Sequence, residues 1–294
     1  MGQQRRGSLS YSTTTRGVIM LQFTVNPATC IQCGSCCNDC PTGIILMGEE
    51  TPFIPADQEE ACYRCQHCLA ICPTGALSIL GLHPENSTPL ASHFPEPENM
   101  AALIKGRRSV RHYAQDDLAP QLIADLLETA WHAPTGVNAR QVRFTVIDTR
   151  EKLQQFREVV LKGLAELEQS HTLPAHMERF SLFVQAWHEE KKDIIFRDAP
   201  HLLIASAPKD APTPKPDCLI ALSYFELYAH SRQVGTVWAG LAYLAIEALL
   251  PQLQPLLALP ENHQVGYAIL FGKAAVHYAR GVQHHNAHIH HAKW

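Results

Sequence analysis

The stretch "CIQCGSCCNDCP", residues 30–41, sets five cysteines in twelve positions, and "CYRCQHCLAICP", residues 62–73, repeats its spacing. Both follow C-x2-C-x2-C-x3-C-P. Thiolates are soft ligands suited to iron–sulfur clusters, and the x2 spacing lets a short loop wrap three of them around one cubane. In two-cluster arrangements the delayed fourth cysteine ligates the other cluster. Cys30, Cys33, Cys36 and Cys72 are therefore expected to hold one [4Fe–4S] centre, and Cys62, Cys65, Cys68 and Cys40 the second. Pro41 and Pro73 turn the chain out of each loop after the distant ligand. A zinc ribbon or a disulfide knot is the competing reading. Zinc sites favour two C-x2-C pairs separated by a longer insert, not triplets with a delayed fourth cysteine. Cys37 is an extra thiol for which the spacing offers no ligand role; it reads as a small packed side chain.

Bulk properties frame what surrounds this head. A chain of 294 residues holds one large domain, or a large one and a small one. An apolar fraction of 46% with 18% charged residues suits a globular protein with a sizeable core. The formal net charge of −4 offers no basic field for nucleic acid. No apolar run is long enough to cross a bilayer. The best candidate, "AGLAYLAIEALLPQLQPLLALP" (239–260), is interrupted by Glu247, Pro251, Gln252, Gln254 and Pro255, and reads as a buried helix followed by a loop. Residues 1–21 carry three arginines and no central apolar stretch, so they read as a disordered leader and not a secretory signal, with Met20 as an alternative start. The expectation is a soluble, cytoplasmic protein without nucleic-acid or membrane partners.

Residues 22–81 resemble the bacterial two-cluster ferredoxin domain. "PTGIILM" (41–47) and "PTGALSI" (73–79) follow the two motifs alike, as its internal repeat requires. "HPENSTPLASHFPEPEN" (83–99) then brings four prolines and few large apolar residues, so 82–98 is expected to be a linker or a wrapping arm.

Beyond it, "IKGRRSVRHY" (104–113) is ambiguous alone, since three arginines with a serine also suit a solvated face. Its context narrows the choice. Leu122, Ile123, Leu126, Leu127 and Ala130 share one helical face, with Pro120 suited to a first turn. A Pro-Thr-Gly-Val-Asn loop follows, and then Val142, Phe144 and Val146 alternate as a half-buried strand. An "RRSxR" segment, a helix, an "AP[ST]GxN" loop and a strand resemble the start of the nitroreductase family of FMN enzymes. "DCLIALSYFELYAHSRQVGTVWAG" (217–240) is similar to that family's long central helix and the turn after it. "GYAILFGKAAVHYAR" (266–280) is similar to its last core strand and the arginine-bearing segment beyond. Each motif is weak alone, whereas four in order across 99–294 are specific.

The resemblance implies an α+β fold, a mixed sheet flanked by helices, preceded by the small ferredoxin-like domain. It implies a homodimer with FMN at the subunit interface. Arg107, Arg108, Ser109 and Arg111 match the segment that holds the flavin phosphate and edge, and Arg280 matches the late phosphate-binding arginine. Guanidinium groups give a phosphate charge-assisted, bidentate bonds, which is why the chemistry suits these residues. Pro134, Thr135, Gly136 and Asn138 match the loop that reaches the flavin from the partner subunit, and Ala239 and Gly240 fall where backbone approaches the ring. Two positions depart from the pattern. Asn138-Ala139-Arg140-Gln141-Val142 replaces Asn-x-Gln-Pro-Trp, and His284 stands where a second late arginine is usual. The five histidines of "HHNAHIHHAKW" are irregularly spaced and read as a surface tail; Cys218, on an apolar helix, reads as core packing.

The expected activity is FMN-dependent reduction of a small organic acceptor, nitroaromatic or quinone-like, with no catalytic side chain required because the redox chemistry belongs to the flavin. Clusters carry one electron each and flavin two, so the head is expected to act as a wire loading FMN from a ferredoxin-type donor, with NAD(P)H as another donor. Two other readings stay open. One is a relative performing reductive dehalogenation or flavin modification, with 171–200 as a substrate lid. The other is an electron carrier or redox sensor without a dedicated substrate.

Overall fold

A computed structural model of the chain describes residues 21–91, 93–285 and 287–294; most of the expected leader lies outside them. The chain divides into two compact units, Met1–Phe94 and Pro95–Trp294.

The first unit is built from very short elements. Strand β1 (Thr24–Val25) pairs antiparallel with β4 (Leu77–Ser78), and β2 (Leu46–Met47) with β3 (Pro52–Phe53). Helices α1 (Ser35–Asp39) and α2 (His67–Ala70) each follow a cysteine loop. The loops share a backbone course: Gln32 and Gly34 in the first, and Arg64 and Gln66 in the second, all adopt the left-handed region. Among the described residues a handful of apolar side chains, including Ile44, Ile45, Leu69, Leu77 and Ile79, form the core. So small a core ordinarily needs covalent or metal staples to hold its fold.

In the second unit α3 (Pro97–Gly106) begins two residues inside the stretch read as linker, with Pro97 in its first turn. There follow α4 (Pro120–Trp131), β5 (Arg143–Ile147), α5 (Arg150–Gln169), α6 (Arg179–Glu190), β6 (His201–Pro208), α7 (Pro214–Ser231), β7 (Val234–Trp238), α8 (Gly240–Leu244), α9 (Leu253–Leu256) and β8 (His263–Lys273). The strands form one sheet in the order β5-β6-β8-β7, antiparallel throughout. A parallel bridge from Ser109 to Thr236 makes the sheet mixed.

Alternation along the central strands divides the core in two. Leu202 and Ile204 of β6, with Ala268 and Leu270 of β8, face α5, α6 and α8. Leu203, Ala205, Ile269 and Phe271 face α4 and α7. Ile123, Leu126 and Ala130 of α4 are buried, along the stripe read from sequence. Cys218 is fully buried on α7, and a Cβ on Gly266 would fall 2.2 Å from its own Cβ, so helix and strand touch there. The 239–260 stretch is α8, one π-helical turn (Ala245–Leu249), a break at Pro251 and α9. Segment 171–200 is anchored: Phe180 and Val184 of α6 are buried in the core, and Arg157 of α5 pairs with Asp193 and Asp198. No helix among the described residues is long and apolar enough to cross a membrane.

Candidate functional site

In the first unit the folded loops form two hollows. Cys30, Cys33, Cys36 and Cys72 line one. Cys40, Cys62, Cys65 and Cys68 line another. The delayed cysteine of each motif thus crosses to the other motif's triplet. None of the ten cysteines forms a disulfide. Among the described residues no three His, Cys, Asp or Glu side chains converge to hold a single ion. Four thiols spread around a cavity suit a polynuclear group better than a tetrahedral zinc, whose ligands crowd one point.

The two crossing thiols have matched surroundings. Cys40 Sγ lies 3.5 Å from Thr42 Oγ1 and Cys72 Sγ 3.8 Å from Thr74 Oγ1, each threonine belonging to a Cys-Pro-Thr-Gly turn. The Ala76 N–H also donates to Cys72 Sγ at 3.2 Å. Burial pushes both thiols up, but the hydroxyl and backbone donors outweigh it, so both sit below the ordinary thiol value. In the deeper cysteines burial outweighs the backbone donors. Burial, with neighbouring Cys37 adding to it, pushes Cys36 up to about 11, and burial pushes Cys68 up to about 12. Bound metal ionises such thiols outright. Cys37 is half-buried and packs against the unit's small core.

In the second unit three expected segments meet at the β7 edge. The 107–111 segment lies beside that strand, the Val110 N–H donating to the Thr236 carbonyl at 2.8 Å. Gly235 permits the approach, since a Cβ there would fall 2.7 Å from Val110. After β8 the chain returns along the same segment. Ala275 N–H donates to the His112 carbonyl at 2.9 Å, and Tyr278 Oη to the Ser109 carbonyl at 3.4 Å. Exposed Arg280 follows two residues later, whereas His284 belongs to the exposed tail. At the far end of β7 come Ala239, buried, and Gly240, where a Cβ would come 2.9 Å from the Tyr267 hydroxyl.

The arginines are not equivalent. Arg107 pairs with Glu226 of α7 at 3.1 Å, and this buried carboxylate also accepts from Thr236 Oγ1 at 3.3 Å and Trp238 Nε1 at 3.0 Å. Arg108 donates to the Arg107 and Lys105 carbonyls, and its Nε is buried without a partner. Arg111 donates to the Ser109 carbonyl at 3.4 Å. An orphaned buried donor on a permanent cation is an anion site's natural first contact.

The Pro134–Asn138 loop sits elsewhere, on the first turn of α7. The Gly136 N–H donates to Thr213 Oγ1 and to Asp217 Oδ1, both at 3.1 Å. Arg107 and Gly106 meet the other end of this helix, at Glu226 and His230. An 18-residue helix is about 27 Å long. Within one chain the loop and the arginine segment therefore lie toward opposite ends of α7. At the departures from the expected loop pattern, Arg140 stacks over Trp131 at 4.8 Å and donates to the Ala133 carbonyl at 3.1 Å, and Val142 is buried. Glu226, Asp217, Thr213 and Tyr278 were not singled out in the sequence. The available signal was two acids, 217 and 226, among the apolar positions of α7.

Known proteins match both halves. The 4Fe-4S dicluster domain profile matches residues 29–76, and the nitroreductase family profile residues 104–273. A protein from Methanothermobacter thermautotrophicus, named for NADH dehydrogenase/NAD(P)H nitroreductase activity, is 26% identical over 173 residues, covering 57% of this chain and 72% of its own. An iodotyrosine deiodinase from Thermotoga neapolitana is 25% identical over 139 residues, 46% of this chain and 70% of its own. The FMN-bound nitroreductase from Bacteroides fragilis superposes with a TM-score of 0.52 at 21% identity, over 65% of this chain and 98% of its own. Fold and thiol loops together define an oxidoreductase with an iron–sulfur head. The chain belongs to the nitroreductase family, a class of FMN-dependent oxidoreductases, and carries a 4Fe–4S dicluster domain at its N-terminal side.

Proposed function

We propose that this chain is a homodimeric enzyme that passes electrons from two [4Fe–4S] clusters, or from NAD(P)H, through FMN to a small organic acceptor such as a nitroaromatic or a quinone. The observation that carries the reading is the joining of two four-thiol hollows to a fold whose β7 edge gathers the arginine segment, the Arg280 segment and the Ala239–Gly240 turn. FMN supplies hydride transfer and exchanges electrons singly or in pairs. Everything else falls to the chain.

Arg108, Arg111 and Arg280 would hold the phosphate, with Arg108 Nε as the first buried contact. Arg107 is already neutralised by Glu226, so its part is to fix the backbone on which Ser109 and Arg111 stand. Gly240 lets the Tyr267 hydroxyl approach its backbone, and with small Ala239 it would present backbone, not bulky side chains, to a flat ring. Pro134, Thr135, Gly136 and Asn138 would close the site from the partner subunit, a reading favoured by their distance along α7 from the arginines. Cys30, Cys33, Cys36 and Cys72 would ligate one cluster, and Cys40, Cys62, Cys65 and Cys68 the other. Their exposed loops fit a donor of the ferredoxin type and a reducing, cytoplasmic setting.

The deiodinase relative favours a second reading, in which the acceptor is a halogenated aromatic that is reductively dehalogenated. Protein reconstituted without oxygen tests both. It should contain about eight iron and eight sulfide per chain, with stoichiometric FMN, and should turn over one class in a panel of nitroaromatics, quinones and halophenols. Arg108→Ala should lose FMN on gel filtration while keeping its cluster absorbance. Zinc in place of iron, or flavin retained at full occupancy in that variant, contradicts the proposal.

A further inference from the structure

Asp217 is 4% exposed, and no reaction step described above uses it. Burying a carboxylate is costly unless donors satisfy it. Its donors here are the Gly136 N–H at 3.1 Å and the Thr213 hydroxyl at 2.8 Å, and its position in the first turn of α7 adds the favourable end of the helix dipole. Thr213 Oγ1 accepts from the same N–H at 3.1 Å. The loop peptide is thus gripped from two sides. Contact is so close that a Cβ on Gly136 would lie 2.1 Å from Thr213 Oγ1, so any larger residue would displace the threonine from this bond.

What the grip holds is strained. Val137 and Asn138 both adopt the left-handed region, at φ 47° and 53°, and Arg140 does so again at 53°. For a β-branched valine this is a true outlier, and such conformations persist only where the surroundings over-determine them. Further bonds run within the loop: the Arg140 N–H to Thr135 Oγ1, and the Asn138 N–H to the Thr135 carbonyl, both at 3.0 Å. Outside the loop, the Asp217–Thr213 pair supplies an anchor at Gly136. Val137 meanwhile remains 43% exposed, an apolar tip held outward.

We infer that Asp217, with Thr213, is a positioning residue for the flavin: it locks the Thr135–Gly136–Val137–Asn138 backbone in the strained shape that closes the FMN site. This rests on the proposed reading that the loop covers FMN. Asp217 touches neither cofactor nor substrate, so its effect is transmitted through the Gly136 peptide. Hydrogen-bond geometry, not charge, is what matters, because an asparagine Oδ1 accepts the same two bonds.

The test compares Asp217→Ala, Asp217→Asn, Thr213→Ala and Arg108→Ala in the full chain with its clusters. FMN affinity is read by flavin fluorescence, ring environment by visible circular dichroism, and assembly by gel filtration. Asp217→Ala is expected to bind FMN about tenfold more weakly or worse, with an altered flavin dichroism at unchanged oligomeric state. Asp217→Asn is expected to restore both, a rescue that a general loss of stability does not predict. Should Asp217→Ala fail to fold, Thr213→Ala carries the same expectation in smaller degree. Wild-type affinity and dichroism in both Asp217→Ala and Thr213→Ala, while Arg108→Ala loses FMN, overturns the inference alone. FMN retained by Arg108→Ala as well overturns the site on which it rests.

Discussion

Arg107 shows how far a motif can be read one residue at a time. "RRSVR" suggested a set of phosphate ligands, and nothing local reveals that its first arginine is paired with a carboxylate 119 positions away. Glu226 keeps 9% of its side chain exposed and Arg107 29%, so the two partners respond differently to losing each other. A solitary Arg107 can hydrate, whereas a solitary Glu226 cannot. Arg107→Ala should therefore destabilise the fold by about 2 kcal/mol or more, and Glu226→Gln, which keeps acceptors for Thr236 and Trp238, by less. Urea unfolding followed by tryptophan fluorescence ranks them. A reversed order would contradict this, because Arg107→Ala is the change that leaves the buried carboxylate without its cation. Arg108 is consequently the cleaner probe of phosphate binding.

At the scale of elements, legibility followed periodicity. The α4 stripe was visible because its apolar residues recur at helical spacing behind Pro120, and β5 because Val142, Phe144 and Val146 alternate. β6, at the centre of the sheet, left no such mark: "HLLIASA" is buried on both faces, so it lacks alternation. Two-residue strands in the first unit are too short to carry any period. The loop at 134–138 was visible as a motif, but its seat on α7 depends on Asp217 and Thr213, far along the chain. Contact between α7 and β8 hinges on Gly266, which no pattern flagged. Gly266→Ala should force Cys218 or the strand to move and cost about 1–3 kcal/mol. Gly281→Ala, where a Cβ meets nothing within 4 Å, should be close to neutral. Equal urea midpoints for the two variants would show that the helix–strand contact is looser than described.

Across the whole molecule, the reading of cysteine spacing ran furthest. The two repeated spacings, with the ligation habit of two-cluster loops, lead one to expect Cys40 and Cys72 beside the other motif's triplet, and the folded loops line the two hollows with those thiols. The acceptor was not legible, because the family chemistry belongs to the flavin and the chain's part is to hold and enclose it. In the proposed function the head feeds the flavin. Cys40→Ala should leave its cluster with three thiolates, prone to lose iron, while the second unit, with its own two-sided core, keeps FMN. The decisive measurement is anaerobic stopped-flow of the flavin band in wild type and Cys40→Ala, with reduced ferredoxin and with NAD(P)H as donors. Flavin reduction by ferredoxin should collapse in the variant while any reduction by NAD(P)H persists. Flavin still reduced by ferredoxin at the wild-type rate would make the clusters staples of a small domain, and not a wire.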